Sequence, residues 1–275
     1  MASTANITLL DENGVARTYN DVSRIALKNA DDPSETVLFS LDGAGSTLLK
    51  SLIDGSITEL TADDLYGITE FRTQAFAACS NLESIEIPSS VTTIANGAFQ
   101  YCVALGNIEI PNSVTSFGTR VFYFCTGLES ATIGNGISYI PSDTFMSCYA
   151  LSSVSIGTSV TEIQSDAFTY CESLESIDIP NNVTTIGTYA FQSCIALASV
   201  TIGTGITGIG ANAFNSCSAL MSLTCKATTP PTIQSTTFSG VPAACAIYVP
   251  AASVNAYKSK QYWSSRAAYI QAIPT

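Results

Sequence analysis

A 23-residue repeat fills the middle of this chain and recurs seven times without an insertion. Its most regular member is a phenylalanine, at Phe76, Phe99, Phe122, Phe145, Phe168, Phe191 and Phe214. A cysteine follows three residues later each time, at Cys79, Cys102, Cys125, Cys148, Cys171, Cys194 and Cys217. A leucine follows three residues after that, at Leu82, Leu105, Leu128, Leu151, Leu174, Leu197 and Leu220. A fixed period this short is typical of a solenoid, in which each turn packs only on its neighbours.

Each repeat contains the pattern of two short strands and a turn. In the segment 82–88, Ile85 and Ile87 alternate with polar residues, which predicts a half-buried strand. A proline or glycine then ends the strand, and the β-branched run 91–94 predicts a second one. The three-residue spacing of Phe99 and Cys102 indicates a helical or 3-10 turn. Since each turn returns in the same sense, we expect parallel strands, with Ile85, Ile108, Val154, Ile177 and Val200 stacked in line.

The repeated pattern L-x-x-I-x-I-P-x-x-V-T-x-I-G-x-x-A-F-x-x-C resembles the BspA-like leucine-rich repeats of bacterial surface proteins. The resemblance covers about residues 68 to 250. It implies a leucine-rich repeat solenoid, a right-handed superhelix that is mainly β, with short helical or 3-10 turns and a parallel strand ladder on one face. It also implies adhesion at a cell surface, with attachment to host matrix proteins or other cells. The motif is a scaffold motif, so it assigns no binding residue.

The ends of the chain depart from the repeat and are predicted to cover the array. Residues 1–55 form a β-rich cap, beginning with a hairpin of 7–10 and 15–19 around an Asn-Gly turn. Residues 56–250 form the array, which starts in degenerate form and ends with the strand 246–249. Residues 251–275 form a second cap with a short helix after Pro250. There, Tyr262 and Trp263 are expected to cover the apolar end of the last turn.

The charge pattern excludes nucleic acid as a partner. Between residues 73 and 225 there are ten acidic residues and one base, Arg120, within a chain of net charge −12. A phosphate backbone would be repelled by most of this surface. The segment 226–275 has four bases and no acid, which gives this end of the chain a local net charge of +4.

The nine cysteines are expected to be buried free thiols rather than disulfides or metal ligands. Stacked turns hold equivalent side chains alongside one another instead of pointing together, and the chain has no histidine and no Cys-x-x-Cys pair. Cys225 and Cys245 lie outside the ladder, and the sequence leaves open whether they form a disulfide. We expect no cofactor and no metal.

A binding surface is expected on the outward strand positions. Its candidate ligand-binding residues are Glu83, Glu86, Glu109, Glu129, Glu175 and Asp178. The array lacks the nucleophile and base that an enzyme needs, which favours a non-enzymatic module that binds a protein partner. A carbohydrate-binding or carbohydrate-active solenoid and a structural spacer are the alternatives. We expect a monomer.

The chain shows no export signal. Its first twenty residues lack an apolar run after a basic start, and no later stretch is apolar enough to span a membrane. The resemblance implies a secreted or surface protein. Either export segments lie outside this sequence or the protein is cytoplasmic.

Overall fold

The computed structural model describes residues 7–10, 16–19, 26–28, 36–38, 58–62, 65 and 67–274. The N-terminal strands β1 (Ile7–Leu10) and β2 (Ala16–Tyr19) form an antiparallel pair, which confirms the predicted hairpin. A second antiparallel pair joins β3 (Ala26–Lys28) and β4 (Thr36–Leu38). From β5 onwards every strand pairing is parallel, and the fold is a parallel-strand solenoid of about nine turns, as the repeat predicted.

One side of each turn is a strand that follows the repeat leucine, and these strands together are called the strand face. They are β5 (Glu59–Leu60), β7 (Ser84–Ile85), β9 (Asn107–Ile110), β11 (Ser130–Ile133), β13 (Ser153–Ser155), β15 (Ser176–Ile179), β17 (Ser199–Ile202), β19 (Ser222–Cys225), β20 (Ala246–Val249) and β21 (Ile270–Ala272). They pair in three groups, β5–β7, β9–β11–β13 and β15–β17–β19–β20–β21. The pairings Ile108 with Ala131 and Ala131 with Val154 keep apolar side chains in line.

A second side is formed by shorter strands that precede the repeat phenylalanine. They are β6 (Glu70–Phe71), β8 (Thr93–Ile94), β10 (Ser116–Phe117), β12 (Tyr139–Ile140), β14 (Glu162–Ile163), β16 (Thr185–Ile186) and β18 (Gly208–Ile209). This ladder breaks between β10 and β12. In the next turn the Gln164 N–H donates to the Ile140 carbonyl oxygen at 2.9 Å. Pro141 occupies the equivalent position and has no N–H to donate, which removes one bond at the break.

The third side carries the repeat phenylalanine and is built from hydrogen-bonded turns. The Cys102 N–H donates to the Phe99 carbonyl oxygen at 3.1 Å, three residues back in the same turn. The Phe99 N–H instead donates to Val121 of the next turn at 2.8 Å. Positive φ angles two residues before and after each repeat phenylalanine, such as 61° at Gly97 and 63° at Tyr101, interrupt any helix. The expected 3-10 geometry therefore exists as separate three-residue turns.

The core is a stack of phenylalanine rings along the solenoid axis. Successive rings from Phe76 to Phe238 have centroids 4.9–5.7 Å apart and planes within 10° of parallel. The seven repeat phenylalanines are fully buried, and the leucine and isoleucine ladders pack around them. Burying each such side chain contributes about 1.5–3 kcal/mol, so this stack is a main source of stability.

Polar side chains also connect neighbouring turns. The Thr115 hydroxyl donates to the Thr92 carbonyl oxygen at 3.5 Å, and the Thr184 hydroxyl donates to Thr161 at 3.1 Å. At the rim, the Asn135 N–H donates to Asn112 Oδ1 at 2.6 Å. The Thr92 and Thr161 carbonyl oxygens also accept backbone N–H groups of the next turn, so the hydroxyl bonds add to the backbone ladder.

The C-terminal segment covers the last turn. A 3-10 helix (Ala251–Ser253), the helix α1 (Val254–Ser259) and a second 3-10 helix (Trp263–Tyr269) precede β21. Trp263 is fully buried, packs against the Phe238 ring at 5.5 Å and donates its Nε1–H to the Pro231 carbonyl oxygen at 2.9 Å. It thus closes the ring stack, as the sequence predicted, whereas Tyr262, predicted to share this role, is 38% exposed. The strand β21, which extends the sheet, was not predicted.

Candidate functional site

The strand face presents one continuous row of outward side chains, called the outer row. Its members are Glu86, Glu109, Thr132, Ser155, Asp178, Thr201, Thr224 and Tyr248. Strand pairing aligns Glu109 with Thr132 and Asp178 with Thr201, while the intervening residues on each strand point into the core. Alternation along each strand therefore produces a polar surface that runs the length of the array.

The six predicted acidic residues are all exposed, but the register does not bring them to one centre. Glu86 and Glu109 are neighbours in the outer row, and Asp178 lies three turns beyond Glu109 with Thr132 and Ser155 between them. At about 5 Å per turn, Glu109 and Asp178 are about 15 Å apart. The outer row therefore has one acidic region in each half.

The other three predicted acids occupy the position just before each strand. Glu83, Glu129 and Glu175 stand there in alternate turns, and the turns between them have Gly106, Ser152 and Ala198. Like charges placed directly opposite each other destabilise a sheet, so this alternation reduces repulsion along the array. Among the described residues, no three metal-binding side chains come close enough to hold an ion.

Two shallow grooves follow the ends of the strands. One, of about 600 Å³, is lined by Glu109, Asn112, Asn135 and Ser155 among others. The second, of about 770 Å³, lies at the gap between β13 and β15, and its lining includes Val154, Asp178 and Lys226. Val154 is only partly buried there, although its counterparts Ile108 and Ile177 are buried. Of these groove residues, Glu109 and Asp178 are among the six acidic candidates predicted from the sequence.

The thiols of the cysteine ladder are buried and unavailable for chemistry. The Cys125 thiol donates to the Phe99 carbonyl oxygen at 3.0 Å, and the same bond recurs from Cys102 to Cys217. Burial raises the pKa of Cys148 and raises the pKa of Cys217 to about 12. A thiol held protonated cannot act as a nucleophile at neutral pH. Cys225 and Cys245 are free as well, and Cys225 accepts a hydrogen bond from the Tyr257 hydroxyl at 3.1 Å.

An exposed aromatic cluster lies on the turn side, where the sequence analysis had placed no site. It consists of Tyr101, Tyr123, Phe124 and Tyr149 and is called the tyrosine patch. The Tyr101 ring centroid is 5.5 Å from Tyr123 and 5.6 Å from Phe124, and Phe124 is 5.7 Å from Tyr149. Tyr101 is 42% exposed and Tyr149 is 37% exposed. Desolvation and the neighbouring Tyr101 raise the pKa of Tyr123.

Arg120 borders the tyrosine patch. Its guanidinium lies 5.9 Å from the centroid of the Tyr123 ring, and its Nε donates to the Asp143 carboxylate at 3.0 Å. The single base of the central array is therefore placed beside aromatic rings instead of on the strand face. A signal for this patch exists in the sequence, because equivalent positions in other turns hold small or polar residues such as Ala78 and Ser147.

Comparisons with known proteins agree with the geometry. A family model described as a BspA type leucine rich repeat region matches residues 54–175 and 161–267, in six copies. A search of curated proteins finds no match. Within the part of the chain that the structure describes, no helix is long and apolar enough to cross a membrane.

Several solved structures are similar to this chain. A leucine-rich repeat protein from Bacteroides ovatus is 29% identical over 65% of this chain and 51% of its own, with a TM-score of 0.52. One from Eubacterium ventriosum is 27% identical over 57% of this chain and 48% of its own, with a TM-score of 0.47. A leucine rich cell surface protein from Faecalibacterium prausnitzii is 19% identical over 94% of this chain and 95% of its own, with a TM-score of 0.45. The chain spans about half the length of the first two.

Proposed function

Since the chain belongs to the BspA-type leucine-rich repeat family, we propose that it is a non-enzymatic interaction module that binds a protein partner through its strand face. Leucine-rich repeat proteins of this type are in general interaction or adhesion modules. The partner proposed for this chain is a host matrix protein or another cell-surface protein. We further propose that the chain acts as a monomer at the cell surface or after secretion.

One observation carries this proposal: the outer row is polar and extends along the array. Solenoids use extended surfaces of this kind to bind partners. The outer row contains Glu86, Glu109 and Asp178 and no basic residue. A partner with a complementary basic surface would be attracted to it, and electrostatic attraction of this kind mainly accelerates association.

The groove beside Asp178 offers a place for an anchoring side chain. There the gap between β13 and β15 leaves Val154 partly exposed beneath a polar rim. Interfaces take most of their binding energy from a few well-buried anchors within a polar surround. An apolar partner residue at Val154, flanked by basic residues facing Glu109 and Asp178, fits this arrangement.

The test is binding to purified extracellular-matrix proteins by the wild type and by the triple variant Glu86→Gln, Glu109→Gln, Asp178→Asn. Binding should weaken between about 0.05 and 0.5 M salt, since the screening length falls from about 14 Å to about 4 Å over this range. The triple variant should bind more weakly at low salt and lose most of this salt dependence.

A matched control separates the strand face from overall charge. The variant Glu162→Gln, Asp166→Asn, Glu172→Gln removes the same number of charges from other sides of the array. It should bind nearly as well as the wild type. Equal losses in the two triple variants would show a non-specific charge effect, and undiminished binding by the first would place the binding surface elsewhere.

A further inference from the structure

The tyrosine patch is not required by the fold. Tyr101 and Phe124 occupy the position two residues after the repeat phenylalanine, where four other turns have Ala78, Ser147, Ser193 and Ser216 and one has Tyr170. Both have positive φ, 63° for Tyr101 and 60° for Phe124, a conformation that is unfavourable for bulky side chains. Smaller residues satisfy the same backbone elsewhere in the array. The rings of Tyr101 and Phe124 are therefore not needed to form the turns that carry them.

The shape of the patch suits a narrow, extended chain. Its ring planes are inclined at 43–89° to one another, so the rings do not form one flat platform. The rings come from three consecutive turns, which at about 5 Å per turn span about 10 Å. A polyproline II segment rises about 3.1 Å per residue, so three or four residues match this length. Aromatic-lined grooves bind such segments because the ligand is already extended before it binds.

The charges around the patch sum to −1, because one base, Arg120, stands with two acids, Asp143 and Glu172, and this balance favours a cationic partner. The Arg120 charge is paired with Asp143, and Glu172 follows Tyr149 by one repeat. The faces of tyrosine rings also attract cations. From these observations we propose that the tyrosine patch is a second docking surface, which binds an extended proline-rich segment carrying arginine or lysine. This surface is separate from the strand face and does not depend on the function proposed for it.

The test uses a synthetic peptide of about ten prolines with an arginine at each end, titrated into the intact chain by calorimetry. Two control peptides have the same length. One replaces the arginines with glutamate, and the other keeps the arginines but replaces the prolines with glycine and serine. We expect the arginine-ended polyproline peptide to bind best, because only it combines the extended backbone with the favourable charge.

The variants use residues that the array itself accepts. The double variant Tyr101→Ser, Phe124→Ser should lower affinity for the first peptide about tenfold or more, while Tyr170→Ser should stay within about twofold of the wild type. Tyr170 is an exposed aromatic residue at the same repeat position, with φ 61°, so it matches the change without touching the patch. Tyr149→Thr should also weaken binding. Thermal unfolding checks that each variant is folded. If the double variant is unfolded, the affinity of Tyr149→Thr for the first peptide is the test instead.

Several results would overturn the proposal. The first is that the wild type does not bind the arginine-ended polyproline peptide at millimolar concentration. The second is that the patch variants bind this peptide as tightly as the wild type does. The third is that the wild type binds the glycine-serine peptide equally well, which would indicate that charge alone causes binding. Binding of a neutral oligosaccharide such as cellohexaose in place of the peptide, lost in the patch variants, would make the patch a glycan surface. The strand-face triple variant should bind the peptide as the wild type does, so the two surfaces are tested independently.

Discussion

Replacing Phe145 with alanine removes one ring from the middle of the phenylalanine stack. The ring is fully buried, and its centroid lies 5.4 Å from Phe122 and 5.3 Å from Phe168, nearly parallel to both. Truncating a buried phenylalanine to alanine lowers the free energy of unfolding by about 3–5 kcal/mol. The loss has two parts, since the apolar area of the ring is no longer buried and the cavity that it leaves closes only in part. Losing two aromatic neighbours, each worth about 0.5–1.5 kcal/mol beyond burial, places Phe145→Ala at the upper end of this range.

The control for this variant is Ser153→Ala, on the exposed side of the strand that follows in the same turn. A surface change of this kind should alter stability by no more than about 0.5 kcal/mol. Guanidinium unfolding followed by circular dichroism gives the midpoint for the whole array. Fluorescence of Trp263, the only tryptophan, reports on the C-terminal end.

We expect the two signals to coincide in the wild type and in Ser153→Ala. In Phe145→Ala the midpoint should fall, and the two signals should separate, because each turn is coupled to the rest only through its neighbours. Equal midpoint shifts in Phe145→Ala and Ser153→Ala would refute the assignment of inside and outside positions.

Three further predictions concern the buried thiols and the glycines. The ladder thiols should not react with a thiol reagent in native buffer and should all react after denaturation. Burial raises the pKa of the Cys217 thiol to about 12, so as pH rises the thiol loses its proton in the unfolded state before it does so in the folded state. The stability that the buried, protonated thiol contributes is therefore lost between about pH 9 and 12. Melting temperatures measured across this range should fall less steeply in Cys217→Ala than in the wild type. Gly157→Ala should lower the free energy of unfolding by about 1–3 kcal/mol or more, since the added Cβ would lie 2.3 Å from the Gly134 carbonyl oxygen. In the control Gly208→Ala, the added Cβ meets no atom within 4 Å, so the denaturation midpoint should be nearly unchanged.

The repeat made the strands and the core predictable, because a period that is kept exactly in register places every equivalent residue in the same environment. The register of Phe71 with Ile94 shows that this holds even in the degenerate first turns. The geometry of the turns was harder to predict from the sequence. Residues as different as Gln74, Arg120 and Asp143 adopt positive φ, since hydrogen bonds to the next turn impose the conformation and the side chains do not reveal it.

The candidate site was predictable only in part, for a related reason. Alternation within one strand establishes that Glu109 and Asp178 point outward, but how far apart they lie depends on the number of turns between them. Their predicted role in binding stays a prediction. The tyrosine patch depends on contacts among neighbouring turns, so its residues look like scattered aromatic substitutions until the fold brings them together. The break at Pro141 was not predicted either, because prolines elsewhere in the repeat end strands without separating them.

The interruptions in the two ladders have a mechanical consequence. On the strand face the interruptions fall between β7 and β9 and between β13 and β15, while on the second side the interruption falls between β10 and β12. They are staggered: where β13 and β15 separate, β12 and β14 remain paired, and where β10 and β12 separate, β11 and β13 remain paired. Across residues 67–274, no boundary between turns has lost both ladders. At each interruption of one ladder, the hydrogen bonds of the other ladder still join the two turns. Under tension along its axis, the array should therefore resist separation at every boundary between turns, with no single boundary that opens first.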